Sequence, residues 1–492
     1  MRLLLVLLLL KAVVLALIIG RGEIGLAPDE AQYWTWSQEL DWGYYSKPPG
    51  IAWQIWLTSS LFGNNPLGVR FGALLISFLL SLVVYKGARY AGLEERSSFW
   101  AGVVAAFSPL GVYLSLVATT DGGAILFLTL AAILIIKGIK DEKGPHYPLI
   151  GFCILVGALY KWIAFLFWPL LFISLFFFKR LRKWSLLGGV AISLVALLPS
   201  LYWNMSHDWA TFRHVATTVG AVRGGNPIDF LGSQIGLLSP IYFALLVLSY
   251  FYLKSEKNRG LCFAAGFPLF ALIYLGAAFF KKIQPNWAAY LYAPGFILIA
   301  WIGCERLKNG RMWLSIGTWL SLLMVLLLFA IPWLQESGTV SLPYTLNPFR
   351  QLVGWKKLTP ALLEAGYHPE ENFLFADKYQ TTSLLSFYGP KQKRAYFFNL
   401  SQTRNNQFSY WPPMEHNEKG KTGYFVVIEN REEMALHWYI EHYQRILAPY
   451  FEAIHYRTAY PLFSVAGEPV KYAMIFECIH YSGASPPSTA KY

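Results

Sequence analysis

Long apolar runs alternate with clusters of basic residues along the first two thirds of this 492-residue chain. Most of the runs are long enough to cross a bilayer as a helix, and about eleven are present. This alternation predicts a polytopic α-helical membrane protein. The runs cover residues 3–20, 66–85, 98–117, 122–137, 149–160, 162–178, 184–203, 231–252, 261–280, 288–304 and 312–333.

Composition supports a membrane protein and argues against several other classes. The chain is 55% hydrophobic and 14% charged, whereas about a quarter of a soluble protein is charged. Its net charge of +13 comes largely from basic residues between apolar runs, so it indicates cytoplasmic loops and no nucleic-acid partner. The spacing of the four cysteines indicates neither a disulfide framework nor a zinc site. The first run contains Lys11 and lacks a clean cleavage site, which favours an uncleaved span over a signal peptide.

The basic clusters also predict the topology. Clusters flank both ends of residues 149–178, so both ends should be cytoplasmic, and the segment should form two short helices with Lys161 at the outer turn. A single crossing would leave one basic cluster outside. The resulting arrangement has a cytoplasmic N-terminus and places the loops 21–65, 204–230 and 281–287 outside.

The chain changes character near residue 335. The tail is polar and contains strand-like runs, GYFVVIEN (423–430) and YAMIFECI (472–479), and the helix-like run REEMALHWYIEHYQRI (431–446). We therefore predict a transmembrane domain of residues 1–334, followed by a soluble α/β domain of residues 335–492 on the outer side.

Unusual polar residues gather on that outer side of the predicted topology. Ionisable groups at membrane depth are costly, so a one-sided set of them indicates a functional site. A transporter or lipid flippase is the alternative, but internal repeats and mid-membrane charges would be expected there, and the sequence shows neither. The set includes Asp29, Glu30, Lys47, Asp121, Lys161, Asn204, His207, Asn286 and Trp287.

These residue types suit transfer from a lipid phosphate. Lys47 or Lys161 can neutralise an anionic leaving group, and a carboxylate can accept the proton of an attacking hydroxyl. Aromatic rings offer flat surfaces to sugars. His207 and Asp208 alone, without a third ligand at a suitable spacing, do not indicate a metal site.

Several motifs, in order along the chain, carry a family resemblance. They include PDEAQYWTWSQELDWGYYSKPPGIAW, TTDGGAILF, GALYKWIAFLFWP, LPSLYWNMSHDWATFRH and KIQPNWAAYLYAPG. The set resembles glycosyltransferase family 39 of the GT-C superfamily, the bacterial relatives of protein O-mannosyltransferases and of the lipid A aminoarabinose transferase. The resemblance implies a GT-C fold of about eleven transmembrane helices with a C-terminal soluble α/β domain.

The implied function is an enzyme of the bacterial inner membrane. It would transfer a sugar from a polyprenyl-phosphate donor to lipid A or lipopolysaccharide core, with its active site and C-terminal domain facing the periplasm. A protein acceptor, as in the O-mannosyltransferases, is the alternative. No nucleotide donor, metal or other cofactor is expected, and the lipid bilayer is the other partner.

The resemblance implies that Asp29, with Glu30 beside it, is catalytic, that Lys47 binds the donor phosphate and that Asp121 lines the same cavity. Each of these residues also has a simpler structural interpretation, and the other site residues are predicted from their positions alone. Asp29 and Glu30 could favour a helix N-terminus, Lys47 could be a snorkelling interfacial lysine, and Asp121 could cap a helix. The predicted catalytic residues are Asp29, Glu30 and Asp121. The predicted donor-phosphate ligands are Lys47, Lys161 and Arg70. The predicted substrate contacts are Tyr33, Tyr45, Asn204, His207, Asn286 and Trp287.

Overall fold

A computed structural model describes residues 1–141, 143–221, 224–339, 342–430, 436–489 and 491. Its first two thirds are almost entirely helical. The helices are α1 (Arg2–Arg21), α2 (Pro28–Gln38), α3 (Gly50–Phe62), α4 (Pro66–Tyr90), α5 (Glu95–Phe107), α6 (Pro109–Leu116), α7 (Thr120–Lys140), α8 (Tyr147–Tyr160), α9 (Phe167–Phe177), α10 (Ser185–Leu194), α11 (Leu197–Ser206), α12 (Ala210–Ala221), α13 (Pro227–Leu238), α14 (Pro240–Leu253), α15 (Arg259–Leu269), α16 (Ala271–Ala277), α17 (Phe296–Trp301) and α18 (Gly310–Glu336).

The apolar helices correspond to the runs predicted from the sequence. Within the described ranges, six helices are long and apolar enough to cross a membrane, and counting each of three bent pairs as one span raises the number to nine. Two shorter apolar helices, Tyr147–Tyr160 and Trp162–Phe177, account for the remaining two runs. They are separated at Lys161, whose backbone is extended, as the two-helix interpretation of this segment requires. The chain is a multi-pass membrane protein.

Three of the predicted spans are not straight, and one of them, the run 288–304, bends by 65° between Pro285–Leu291 and Phe296–Arg306. The run 231–252 is bent by 101° between α13 and α14. The bend lies at Ser239, which has φ 75° and precedes Pro240, and a residue before proline is disfavoured in the helical region. The run 98–117 bends by 55° where Pro109 follows Ser108.

Lys11 explains how the bend at Pro109 is accommodated in a membrane. Its ammonium group donates to the carbonyl oxygens of Ala106, at 2.6 Å, and Gly111, at 3.1 Å, one on each side of the break. It also donates to the hydroxyl of Ser77 at 3.1 Å. A broken helix leaves backbone carbonyl groups without hydrogen-bond donors. A charged lysine inside a membrane needs such acceptors. The lysine within α1 therefore stabilises the bend between α5 and α6.

The C-terminal region contains the α/β fold that the sequence predicts. Its elements are α19 (Leu358–Glu364), β1 (Phe373–Ala376), α20 (Tyr379–Tyr388), β2 (Tyr396–Phe397), α21 (Met414–Asn417), β3 (Gly423–Glu429), α22 (Leu436–Leu447), β4 (Phe451–Val465) and β5 (Glu468–Tyr481). The sheet has the strand order β2-β1-β3-β5-β4, with β1 parallel to β2 and β3, and with the β3–β5 and β5–β4 pairs antiparallel. Of the predicted helix at 431–446, residues 431–435 lie outside the described residues.

The loop of residues 21–65, which the sequence predicts to be the first outer loop, shares a hydrophobic core with this C-terminal region. Trp34 of α2 packs in one buried cluster with Ala361, Leu385 and Ile475, which lie in α19, α20 and β5. The ring of Trp34 also meets that of Phe387 edge-on, with centroids 5.0 Å apart. Burial of this apolar surface holds the start of α2 in a defined position relative to the sheet.

Candidate active site

The adjacent carboxylates Asp29 and Glu30 begin α2 and have different environments. Pro28 occupies the first helical position, and Glu30 accepts a hydrogen bond from the backbone N–H of Ala27 at 2.9 Å, as in a capping box. Successive residues of a helix point about 100° apart, so one carboxylate can face inward while its neighbour faces outward. Glu30 is fully buried, whereas Asp29 faces an open cavity.

Glu30 and Arg70 form a buried ion pair. Arg70 donates to both carboxylate oxygens, at 2.9 and 2.6 Å, and to the backbone carbonyls of Ile24 and Gly25, at 3.0 and 2.7 Å. Glu30 also accepts from the N–H of Ala118 at 2.8 Å. These bonds join the first outer loop to α4 and to the segment before α7. The structure thus engages Arg70 with protein groups in place of the predicted phosphate, and gives Glu30 a positioning role.

Asp121, Lys161 and Asn286 come together from three distant parts of the chain. The Nζ of Lys161 lies 2.6 Å from Oδ1 of Asp121, and Nδ2 of Asn286 donates to Oδ2 at 2.9 Å. Asp121 lies in the first turn of α7, Lys161 follows α8, and Asn286 lies in a short turn before α17. The two partners fix the orientation of the Asp121 carboxylate.

Lys47 lies at a tight turn, near Asp29 of its own loop and near the Asp121–Lys161 pair. Its backbone pairs with Tyr44 through reciprocal hydrogen bonds of 3.1 and 3.3 Å, just before Pro48 and Pro49. Burial and the positive charge of Lys161 lower the pKa of Lys47, and the carboxylates of Asp121 and Asp29 act in the opposite direction. The ammonium group is therefore within electrostatic reach of both carboxylates.

Two glycines allow these segments to approach each other. A Cβ on Gly50 would lie 2.7 Å from the carbonyl oxygen of Leu159, and one on Gly123 would lie 2.5 Å from the ring of Tyr160. Both contacts are too short for a real side chain. Glycine at these positions therefore lets α3 and α7 pack directly against the end of α8, immediately before Lys161.

The groups around Asp29 shift the pKa of its carboxyl group in opposite directions. Loss of hydration among the surrounding groups raises the pKa of the Asp29 carboxyl, and the negative charge of Glu30 adds to the rise. The positive charges of Lys47 and Arg404 oppose it. Burial and the charges of Asp29 and Asp121 raise the pKa of the Tyr33 hydroxyl, so this buried ring lies near both carboxylates.

Two predicted substrate contacts are occupied by protein instead. Asn204 is fully buried, donates to the Ser200 carbonyl and the Thr211 hydroxyl at 2.7 and 3.0 Å, and accepts from the Thr211 N–H at 2.9 Å. Tyr45 is 1% exposed, and its N–H donates to the Gln407 side chain at 2.8 Å. We therefore revise their interpretation: Asn204 stabilises the turn between α11 and α12, and Tyr45 anchors the first loop.

The remaining two predicted contacts are partly accessible. His207 is half-buried and stacks on Trp203, with ring centroids 4.0 Å apart, while its Nδ1 lies 2.7 Å from the Trp203 carbonyl oxygen. Trp287 is half-buried next to Asn286. Their predicted contacts with substrate stay predictions.

The C-terminal region contributes residues that sequence reasoning missed. The guanidinium of Arg404 lies 5.7 Å from the centre of the Tyr45 ring and 5.4 Å from that of Tyr379, and it interacts electrostatically with Asp29 and Lys47. Tyr410 packs against Tyr45 with centroids 6.0 Å apart. The sequence around Arg404, QTRNNQF, carries no signal for this position, because only the folding of the tail onto the first loop brings the arginine there.

A polar cavity of about 640 Å³ opens beside Asp29, between the first loop and the C-terminal region. Basic residues in its wall include Arg350, Lys378 and Lys471. An apolar cavity of about 330 Å³, between α1, α6 and α18, shares Ala27 with the polar cavity. A second apolar cavity of about 680 Å³ continues along α1 and α18. The polar cavity beside Asp29 is thus bordered at Ala27 by an apolar cavity.

Known proteins share both sequence and fold with this chain. Residues 46–203 match the family described as dolichyl-phosphate-mannose-protein mannosyltransferase. The chain is 33% identical over 314 residues to the lipid A galacturonosyltransferase RgtD of Rhizobium johnstonii, an alignment that covers 61% of this chain and 65% of that one. It is 24% identical over 353 residues to the undecaprenyl phosphate-alpha-4-amino-4-deoxy-L-arabinose arabinosyl transferase of Photorhabdus laumondii, covering 63% and 62%. The chain thus spans less than two thirds of the length of each relative.

Solved structures show the same architecture. The crystal structures of ArnT from Cupriavidus metallidurans, in the apo state and bound to undecaprenyl phosphate, superpose with TM-scores of 0.60 and 0.63. Each is 15% identical, and the superpositions cover 95% of this chain and 97% of that one.

The chain is thus a multi-pass membrane protein with the fold of these ArnT structures. The resemblance that the sequence motifs predict is confirmed as a similarity, both to the mannosyltransferase family model and to the two bacterial sugar transferases.

Proposed function

We propose that this protein transfers a sugar from an undecaprenyl-phosphate-type carrier to lipid A at the outer face of the bacterial inner membrane. The observation that carries the proposal is the convergence of Asp29 and the Lys47–Lys161–Asp121 group on one side of a membrane-embedded fold. The site and the C-terminal region would then face the periplasm. The similarity to a lipid A galacturonosyltransferase supports this choice of acceptor.

On the donor side, Lys47 and Lys161 would bind the carrier phosphate. Both ammonium groups lie near Asp121, which orients Lys161 through the 2.6 Å ion pair. When the bond between the sugar and the phosphate breaks, its electron pair leaves with the phosphate, and negative charge grows there. Fixed cations aimed at that position stabilise the transition state more than the ground state.

On the acceptor side, Asp29 would face the attacking oxygen. If that oxygen belongs to a hydroxyl, its proton passes to Asp29 as the oxygen bonds the anomeric carbon, and the raised pKa of Asp29 makes it a better base. If it belongs to a lipid A phosphate, no proton needs to be removed, and Asp29 positions the reactants. In both cases one displacement inverts the anomeric centre.

The acceptor would enter through the polar cavity beside Asp29. Lys378 and Arg350 in its wall favour an anionic head group, and the adjoining apolar cavities between α1 and α18 offer space to acyl chains. This combination fits a phosphorylated glycolipid.

Asp29→Asn provides the direct test. In proteoliposomes with an undecaprenyl-phosphate-linked sugar and lipid A, we expect this variant to bind the donor and to lose transfer by at least about a hundredfold. Asp229→Asn is a matched control, because Asp229 also lies in the first turn of a helix that begins with proline. Unimpaired transfer by Asp29→Asn would contradict the role of Asp29. Transfer to a protein instead of lipid A would favour the O-mannosyltransferase alternative, and movement of the carrier lipid without transfer would favour a flippase.

A further inference from the structure

Arg404 is a cation of the C-terminal region that the transfer reaction described above does not use. It lies between β2 and β3, in a segment held against the first outer loop by the 2.8 Å hydrogen bond from the Tyr45 N–H to Gln407. Arg404 is half-buried and therefore partly accessible to a ligand.

Among the described residues, no carboxylate forms an ion pair with Arg404, and Asp29 lies within its electrostatic reach. Lys161 pairs with Asp121, and the separate pair of Arg70 and Glu30 is closed by its own hydrogen bonds. In the part of the chain that the structure describes, the contacts of Arg404 are the rings of Tyr45 and Tyr379, the Tyr379 hydroxyl and a backbone carbonyl, with no ion pair.

The charge balance points to an anionic ligand. Lys47, Lys161 and Arg404 bring three positive charges to the site, and Asp29 and Asp121 bring two negative charges. A carrier phosphate would be bound by the two lysines, which lie near Asp121. Arg404 acts on Lys47 and also on Asp29, the carboxylate proposed to face the acceptor, so an anion beyond the carrier phosphate can come within its reach.

The geometry suits an oxyanion that can accept two parallel hydrogen bonds. Two tyrosine rings hold the guanidinium at 5.7 and 5.4 Å, which limits the directions in which its N–H groups point. A guanidinium fixed in this way can donate two parallel hydrogen bonds to a carboxylate or phosphate, which a lysine cannot do.

We propose that Arg404 binds an oxyanion of the substrates other than the carrier phosphate, carried either by the transferred sugar as a carboxylate or by the acceptor head group as a phosphate. The proposal rests on the transfer reaction proposed above and names the chemistry that the C-terminal region selects. A cationic amino sugar at this position would meet Arg404 with like charge.

Paired substrates test the proposal and separate the two sources. Undecaprenyl-phosphate-linked galacturonic acid and its neutral galactose counterpart form the donor pair, and lipid A with one or two phosphates forms the acceptor pair. Binding and transfer are both measured for the wild type, Arg404→Gln and Arg404→Lys. Arg394→Gln is the matched control, because Arg394 belongs to the same region but pairs with Glu39 and packs on Trp411.

We expect Arg404→Gln to weaken binding of one charged substrate about tenfold or more, and to change that of its less charged counterpart less than about twofold. Arg404→Lys should recover only part of the loss, because it restores the charge without the two parallel donors. A selective effect within the donor pair assigns the oxyanion to the sugar, and one within the acceptor pair assigns it to the acceptor.

Equal losses for charged and less charged substrates, or no loss for any of them, would overturn the proposal. The binding measurement does not require turnover, so it separates this inference from the proposed function. Arg404-dependent selective binding in a protein that transfers no sugar would contradict the function and leave the anion site standing.

Discussion

The Nη2 of Arg70 lies 2.6 Å from Oε2 of Glu30, and both side chains are almost completely removed from solvent. The pair gives the two carboxylates at the start of α2 separate roles. Glu30 is held by Arg70 and by the N–H groups of Ala27 and Ala118, so its neighbour Asp29 is presented to the cavity from a rigid base.

Removing one partner of this pair should destabilise the protein. Glu30→Gln leaves a buried guanidinium without its counter-charge, at a cost of about 3–5 kcal/mol. We expect a clearly lower thermal unfolding midpoint in detergent. The double variant Glu30→Gln/Arg70→Gln should lose less than the sum of the single variants, because the two residues are coupled. A Glu30→Gln protein of normal stability with abolished transfer would instead assign chemistry to Glu30.

Loss of Lys161 should affect the donor more than the acceptor. Lys161→Met removes a cation from the proposed phosphate site and breaks its ion pair with Asp121, which keeps the hydrogen bond from Asn286. We expect the KM for the polyprenyl-phosphate donor to rise about tenfold or more, with a smaller change for lipid A. Lys254→Met, in the basic cluster predicted to be cytoplasmic, is the control. An increase confined to the acceptor KM would move Lys161 to the other substrate.

The dependence of kcat/KM on pH should be bell-shaped if a hydroxyl is the acceptor. Asp29 must be ionised to accept a proton, and its raised pKa places the acidic limb above the ordinary carboxyl value of 3.8. Lys47 must be protonated to bind phosphate, and its lowered pKa places the alkaline limb below 10.5. Activity should therefore fall as pH drops through the first value and as it rises through the second. An acidic limb that persists unchanged in the residual activity of Asp29→Asn would assign that limb to another group.

Gly50→Ala should damage the site with little effect on the rest of the membrane domain. The new Cβ would lie 2.7 Å from the Leu159 carbonyl oxygen, so α3 and the end of α8 must separate, and Lys161 moves with them. We expect at least a tenfold loss of transfer, since small displacements of catalytic groups are costly. Gly188→Ala is the control, because a Cβ there meets nothing within 4 Å. Normal transfer by Gly50→Ala would show that this contact does not position Lys161.

Lys378→Ala should weaken binding of the acceptor. Lys378 is exposed in the wall of the polar cavity beside Asp29, so its loss removes positive charge from the proposed entry path. We expect a severalfold increase in the KM for lipid A that shrinks at high salt, because exposed charges are screened. Lys391→Ala, whose lysine pairs with Glu370, should leave this KM unchanged. A change in the donor KM alone would contradict the assignment of the cavity.

Apolar length and basic clusters were enough to predict the helical spans, since crossing a bilayer needs a nearly continuous apolar helix. The break at Lys161 followed from the same pattern. The contact between Asp121, Lys161 and Asn286 was only implied, because topology places residues on one side of a membrane without setting the distances between them. The bend at Ser239 depends on one backbone conformation before a proline, and hydropathy does not report it.

The sequence by itself determined the membrane class, the order of the spans and the motifs that contain Asp29, Lys47 and Asp121. Only the tertiary structure decided that Arg70 neutralises Glu30, that Asn204 stabilises a turn, and that Arg404 reaches the site. Burial consumes hydrogen-bonding capacity, so a polar residue becomes structural or available according to the neighbours that folding supplies. Those neighbours lie 40 residues away for Glu30 and Arg70, and in a different region of the chain for Arg404. No local pattern encodes them.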